Sequence, residues 1–546
     1  MKTRLLSLLI SLLVGLAGCG GSSGGNNEPP PPPPPPPPIT KAEAFQFLNQ
    51  STFGATDAEA QRVINLRYEA WIDDQLQKPA SLQLPHIQSL PLPPFMGQLQ
   101  ADRVDIWFRN ALHGDDQLRQ RVAFALSEIM VVSQIGVLNN RPYSLASYYD
   151  MLAENAFGNY RDLIEAVTLH PAMGVYLSML GNEKPDVENN IRPDENYARE
   201  LMQLFSIGLV ELNQDGSVKL DDRGQPIPTY DQETIEAFAH VYTGWTYAGS
   251  PVFREARPTL TNQVIPMQLW PSFHDTGPKT LLNGFVIPAG QMGMQDLADA
   301  LDNIFNHPNV GPFIAIRLIQ RLVTSNPSPG YVSRVAGVFN DNGFGVRGDL
   351  GAVVKAILLD DEAQPGVRMD LDGKVKEPLL RLTQLWRVYN ATSQSGRYPL
   401  NFAYIVFGQG PLQASHVFNF FSPFYAPPGE ISDGNLVAPE LEISTEYLNT
   451  FVTNYMFYQT FALNSTNTQL NEDDVFINFE SELALANDVD MLIDSVAGKL
   501  LAGQISDTLR NETAGMLALI PDTEAALRVA ETIYLIVTSP EYAYQR

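Results

Sequence analysis

The run Pro193-Asp194-Glu195-Asn196-Tyr197-Ala198-Arg199-Glu200-Leu201-Met202-Gln203-Leu204-Phe205-Ser206-Ile207-Gly208 constrains the fold more than any other part of the chain. At about 100° per residue, Tyr197, Ala198, Leu201, Met202, Leu204 and Phe205 fill one apolar arc of a helix. Glu195, Asn196, Arg199, Glu200, Gln203 and Ser206 fill the opposite arc, which only Ile207 interrupts. Pro193, Asp194 and Glu195 suit a first turn, where proline loses no needed N–H and carboxylates meet the positive end of the helix dipole. Gly208 suits the stop. Helical periods recur along the chain from Lys41, with no alternation of strand and helix. The expected fold is mainly α, a multi-helical single globular domain over 39–546, with a small β-hairpin insertion at about 210–230 and long Pro/aromatic-rich loops.

The first residues belong to a different regime. Lys2 and Arg4 precede an apolar run that ends at Leu16-Ala17-Gly18-Cys19. This is the pattern of a lipoprotein signal peptide over 1–18, with Cys19 the lipidated new N-terminus. The apolar run is too short to span a bilayer. Gly20 after the cysteine resembles signals for the outer membrane, so an exported protein held there by lipid is expected. Residues 19–38 form a Gly/Ser tether followed by an unbroken proline run, Pro29 to Pro38. At about 3.1 Å per residue such a run is a stiff spacer on the order of 30 Å long.

Cys19 is the only cysteine, which excludes disulfides, thiolate metal sites and a cysteine nucleophile from the mature chain. A net charge of −26 argues against nucleic acid as a partner, because its recognition needs clustered Lys and Arg. No cofactor-binding motif is identified. Gly343-Phe344-Gly345-Val346-Arg347-Gly348 matches a dinucleotide fingerprint in letters only, since the residues before it read as helix and not strand. The spacing of Glu211, Asn213, Asp215, Gly216 and Asp222 partly imitates a calcium loop. Glu at its first position and Lys219 at its ninth weaken that match in favour of a hairpin turning at Asp215-Gly216 and Arg223-Gly224.

The candidates for chemistry are charged residues at helical or loop spacing. If the polar arc of 193–208 faces a cleft, Glu195, Arg199 and Glu200 can act there; if it faces water, Glu195 and Arg199 are an ordinary i,i+4 pair. Arg119 and Arg121 interrupt the very apolar helix expected over Gln117 to Ser133. They either emerge at its exposed start or need a buried anionic partner, for which Glu195 and Glu200 are candidates. Asp231 caps a helix on which Glu236 and His240 stand four apart, a spacing that suits a metal, a general base or a solvated pair. His274, Asp275 and Lys279 sit in a Gly/Pro-containing loop, and they suit anion binding, proton relay or metal ligation. Gln83 to Gln98 is proline-rich and is expected as an irregular crossing loop. The aromatic segment Gly408 to Glu446 must pack on the helices or expose its phenylalanines.

Glu195-Asn196-Tyr197-Ala198-Arg199-Glu200-Leu201, then Thr243-Gly244-Trp245, then His274-Asp275-Thr276-Gly277-Pro278-Lys279-Thr280, resemble the signature of the large bacterial domain-of-unknown-function family numbered 1800. The likeness runs from about Ala44 to Ser539-Pro540-Glu541-Tyr542. It implies a fold and a neighbourhood of important residues, and no reaction. It also implies company, since members that look like this are often encoded beside a sulfatase-like companion, a possible partner.

Two readings of function follow. In the first, the protein is an enzyme acting by acid/base chemistry on an envelope or exported polymer, a polysaccharide, with Glu195 or Glu200 as acid/base. Arg199 and His274 would orient groups or stabilise charge, and Asp275 and Lys279 would tune His274. Glu195 and Glu200 lie about 140° apart on the helix, so a second acid would have to come from elsewhere. In the second, the protein is a non-catalytic binding or assembly partner on the envelope. Glu195, Arg199 and Arg121 would then form a structural network, and Thr243-Gly244-Trp245 a packing corner. Asn196, Tyr197, Arg119, Glu236 and His240 would support either site.

Overall fold

The computed structural model describes residues 37–365 and 373–545, and Cys19 and nearly all of the tether lie outside them. Local signals set the first elements. Thr40 caps the helix Lys41–Ser51 by exchanging hydrogen bonds with Glu43, and Thr56 caps Asp57–Leu76 by accepting from the Glu59 N–H. The second helix breaks at Arg67, whose φ is 68°, which is why Tyr68 begins a separate helical piece. Among the described residues strands occur only as two-residue antiparallel pairs, so the fold is mainly α, as expected.

Gln117–Ser127 lies at the centre, with all its residues except Arg119 buried. It packs against Asp57–Leu76, Pro142–Asn155 and Val310–Leu322 around one large hydrophobic core. The expected crossing loop at 83–98 is instead mostly helical, Leu84–Ser89 and then Met96–His113. Pro85 sits in the first turn of its helix, where its missing N–H costs nothing. Between 209 and 229 the chain folds into a small meander, bridged at Leu212 to Val218 and at Leu220 to Pro226, with Val210 closing on Pro228. The glycine-rich run 343–348 follows the helix Pro329–Asn340, and Asp349 caps the next, Leu350–Leu359.

The signature segment departs from the even helix expected. Asp194 accepts from the Asn196 N–H, the α-helix spans only Asn196–Glu200, and Leu201–Ser206 continues as a π-helix, with Ser206 Oγ donating to Leu201 O at 2.6 Å. The wider turn shifts the phase, so Ile207, assigned to the polar arc, is fully buried. Gly208 ends it at φ 73°. Against this segment packs the helix Gln232–Val241, whose other neighbours are the strand Lys279–Thr280 and the helix Gly293–Phe305. In the aromatic segment Phe421 is buried beneath Arg321, whereas Phe418 and Phe424 remain largely exposed. Among the described residues no helix is long and apolar enough to cross a membrane.

Candidate functional site

The helix Gln232–Val241 organises the polar residues of all three signature motifs. Asp231 caps it through the Thr234 N–H, and its apolar residues Ile235, Phe238, Ala239 and Val241 fix which face turns outward. Glu236 and His240 stand on that outward face. His240 Nδ1 bonds Asp275 Oδ2; because a carboxylate only accepts, Nδ1 carries the proton and Nε2 is left as the basic nitrogen. His240 Nε2 has no hydrogen-bond partner among the described residues, and the side chain is 31% exposed.

Asp275 is held from several sides. Its Oδ1 accepts from Gly277 N at 2.8 Å, and its own N–H donates to Thr243 Oγ1 at 2.9 Å. The hydrogen bond from His240, helped by Gly277 N–H and opposed by burial, holds the carboxyl down at about 2. At the other end of the helix Gln232 Nε2 donates to both Glu195, at 3.0 Å, and Glu236, at 3.2 Å. Glu195 in turn pairs with Arg199 at 2.8 Å. A polar line therefore runs Arg199, Glu195, Gln232, Glu236, His240, Asp275. It joins the first and last signature motifs through a helix that touches both.

This line faces open space. A cleft of about 610 Å³, walled by Tyr230, Asp231, Glu233, Pro278 and Asn283, shares Glu236 and His240 with a second of about 370 Å³ that also holds Glu195 and Arg192. The second shares Ile191 and Arg192 with a third of about 500 Å³ containing Arg141, Glu183, Asp194 and Tyr247. The three lie in series. Among the described residues no group of three His, Cys, Asp or Glu could hold a metal ion.

The other sequence candidates fall elsewhere. His274 and Lys279 are sealed from solvent and share Asp296, at 3.1 and 2.7 Å. His274 Nδ1 faces Thr243 O at 3.0 Å, and Lys279 Nζ also donates to the carbonyls of Asp275 and Gly277. Burial pushes the Asp296 carboxyl up, but its bonds from His274 and Lys279 outweigh this and leave it below the usual carboxylate range. The packing is close: a Cβ on Gly244, at φ 86°, would come within 2.9 Å of His274 N, and one on Gly293 within 2.9 Å of the ring. This knot shapes the loop that presents Asp275. Thr243 and Trp245 are buried, and Tyr197 bonds Thr168 Oγ1 at 2.5 Å while meeting Tyr242 edge-on. Asn196 is partly exposed at the helix start.

Glu200 turns inward, away from the line. It is 6% exposed, its Oε2 has no hydrogen-bond partner, and burial raises its pKa against the pull of Arg199. Its charge reaches the phenols of Tyr176 and Tyr230.

Neither arginine of the central helix meets Glu195 or Glu200. Arg119 is half-buried, donates to the carbonyls of Lys78 and Ala153, and lies over Phe157. Arg121 is fully buried and donates to Arg321 O. It belongs to a charge knot that sequence reasoning did not assemble. There Lys374 pairs with Glu377 at 3.2 Å and Glu440 at 3.1 Å, and Arg321 lies 3.6 Å from Glu128. Gln409 Nε2 donates to both Glu128 and Glu377. Burial, reinforced by Glu377, pushes the Glu128 carboxyl up to about 8; burial works the same way on Glu377, but Lys374, Arg321 and Arg121 overcome it and hold that carboxyl at about 2. One readable signal was Glu128 itself, a carboxylate closing the buried helix Gln117–Ser127.

A family model described as "Protein of unknown function (DUF1800)" matches residues 46–544, nearly the whole chain. No curated protein and no solved structure matches it.

Proposed function

We propose, for a chain that belongs to the DUF1800 family of proteins of unknown function, that it is an exported hydrolase working on a hydroxyl-rich polymer, a polysaccharide of the envelope or one passing through it. The observation that supports this reading is the His240–Asp275 pair. A histidine oriented by a carboxylate, with its second nitrogen free where two clefts meet, is the arrangement a general base requires. In this reading His240 Nε2 takes the proton of an attacking water. Glu236, one turn away on the same face, returns a proton to the leaving oxygen. Glu195, set beside Glu236 by Gln232, is the second acid that one helix could not supply. Arg199 holds Glu195, and the serial clefts lined by amide, carboxylate and guanidinium groups suit a chain with many hydrogen-bonding groups.

His274 and Lys279 act here as positioning residues for the Asp275 loop. Cys19 carries the lipid in this proposal, and the proline run holds the domain off the outer membrane; a sulfatase-like partner would act on the same polymer. The test is to incubate purified protein with envelope and exported polysaccharides and assay newly formed reducing ends. Wild type should release them, Glu236→Gln should lose at least about tenfold at unchanged melting temperature, and Asp275→Asn should lose as much per folded molecule. Equal release by these variants would rule the assignment out.

A further inference from the structure

The three clefts in series form one groove, and the second signature motif builds the end of it farthest from the His240–Asp275 pair. Gly244 N–H donates to Asn182 O, and Gly181 N–H donates to Trp245 O, both at 2.8 Å. Asn182 passes the restraint on: its Oδ1 accepts from the Asp194 N–H at 2.8 Å, and its Nδ2 donates to Asp194 O at 3.2 Å. Gly181, Asn182 and Asp194 all line the third cleft, of about 500 Å³. Thr243-Gly244-Trp245 is therefore more than a packing corner, because its backbone fixes a cleft wall.

Two guanidiniums line that cleft, Arg141 and Arg192. Arg141 precedes the helix Pro142–Asn155, and its Nη1 donates to the hydroxyl of Tyr247, a fully buried ring two residues beyond Trp245. That bond orients the guanidinium and takes one of its five N–H donors. Arg192 is exposed and also lines the second cleft, the one that holds Glu195 and His240. The carboxylates of the third cleft are engaged. Glu183 accepts from Nε and Nη2 of Arg254 at 2.7 and 2.8 Å, and Asp194 Oδ1 accepts from the Asn196 N–H at 2.8 Å. Counting Arg254, three guanidiniums meet two carboxylates here, in a chain whose net charge is −26.

We propose that the third cleft is an oxyanion site, in which Arg141 and Arg192 take the carboxylate or ester sulfate of an acidic sugar unit. The planar fork of a guanidinium matches either group with two parallel hydrogen bonds. A unit held there places its neighbour in the second cleft, because Arg192 stands on the wall common to both. The polymer of the preceding section is then an acidic polysaccharide. That extension rests on the hydrolase reading, whereas the oxyanion site itself needs no turnover. The overall negative charge repels a dense polyanion, so single acid groups spaced along the polymer are what the cleft recognises.

The full chain is titrated at about 0.15 M salt with glucose, glucuronate and glucose 6-sulfate, which differ only at C6, and dissociation constants are read by ligand-observed NMR. At least one acid should bind about tenfold or more tightly than glucose. Preference for glucuronate marks a carboxylate site, preference for the sulfate an ester-sulfate site, and equal preference a site for either oxyanion. Arg192→Gln, a change at an exposed position, and Arg141→Gln should each remove most of the preference and leave glucose binding as it was. Glucose binding as tightly as both acids, or a preference that survives in folded Arg192→Gln, would overturn the proposal. Reducing-end release on the same preparations separates the two readings. Hydrolysis without acid preference sinks the oxyanion site alone, and acid preference without hydrolysis sinks the hydrolase alone.

Discussion

The groove and the buried knot hold similar residues and use them in opposite ways. Around Glu236 and His240, the charged groups are partly exposed, hold one another by single contacts and leave a ring nitrogen unused. Around Lys374, three carboxylates, a lysine and two arginines are sealed in the core and clamp the aromatic segment through Gln409 and Glu440 to the central helix. Exposure decides the difference. In water-like surroundings an ion pair contributes little and its members stay available for chemistry, whereas in the core breaking one pair strands a charge.

The comparison is sharpest where removal should cost most. Lys374→Met strands Glu377 and Glu440 and should destabilise the domain by about 3–5 kcal/mol in denaturant titration. A loss below about 1 kcal/mol would mean the knot is hydrated and not structural. Next, His274→Gln should cost about 1–3 kcal/mol, since Asp296 loses one of two buried donors and the loop under Asp275 loosens.

The knot should also be visible in the pH dependence. Glu128 binds its proton more tightly folded than unfolded, so its contribution to stability is complete below the unfolded value near 4.5 and drains away as pH rises toward 8. Glu377 and Asp275, both depressed to about 2, contribute above their ordinary values of 4.5 and 3.8 and lose that contribution as pH falls toward 2. Glu128→Gln should therefore flatten the decline between pH 4.5 and 8 while leaving the acid limb intact, measured by unfolding at several pH values. An unchanged profile would mean that Glu128 is not the group that holds this proton. Smallest of all, Arg199→Ala should cost only a few tenths of a kcal/mol, because this pair is partly exposed and screened.

How much of this could be read in advance follows from the same contrast. The helix 232–241 was legible because Asp231, the apolar spacing and the Glu236/His240 pair all lie within ten residues or so, and the structure keeps each of these features. Which histidine faces the cleft was not legible. His274 sits in a Gly/Pro-containing loop, which suggested a functional role, yet Gly244 and Gly293 let the backbone close over its ring. The knot was hidden because its members, from Arg121 to Glu440, are brought together only by tertiary folding. The π-turn at 201–206 was equally hidden, for only packing of Ile207 shows that the register has slipped.

The central claim is that His240, not His274, does the chemistry. It is tested most directly by measuring reducing-end release from the responsive polysaccharide by wild type, His240→Gln and His274→Gln, each normalised to its folded fraction. The account predicts that His240→Gln melts like wild type and releases at least about a hundredfold less, whereas His274→Gln melts earlier and keeps most of its activity per folded molecule. Loss of activity in folded His274→Gln with activity retained in His240→Gln would contradict it.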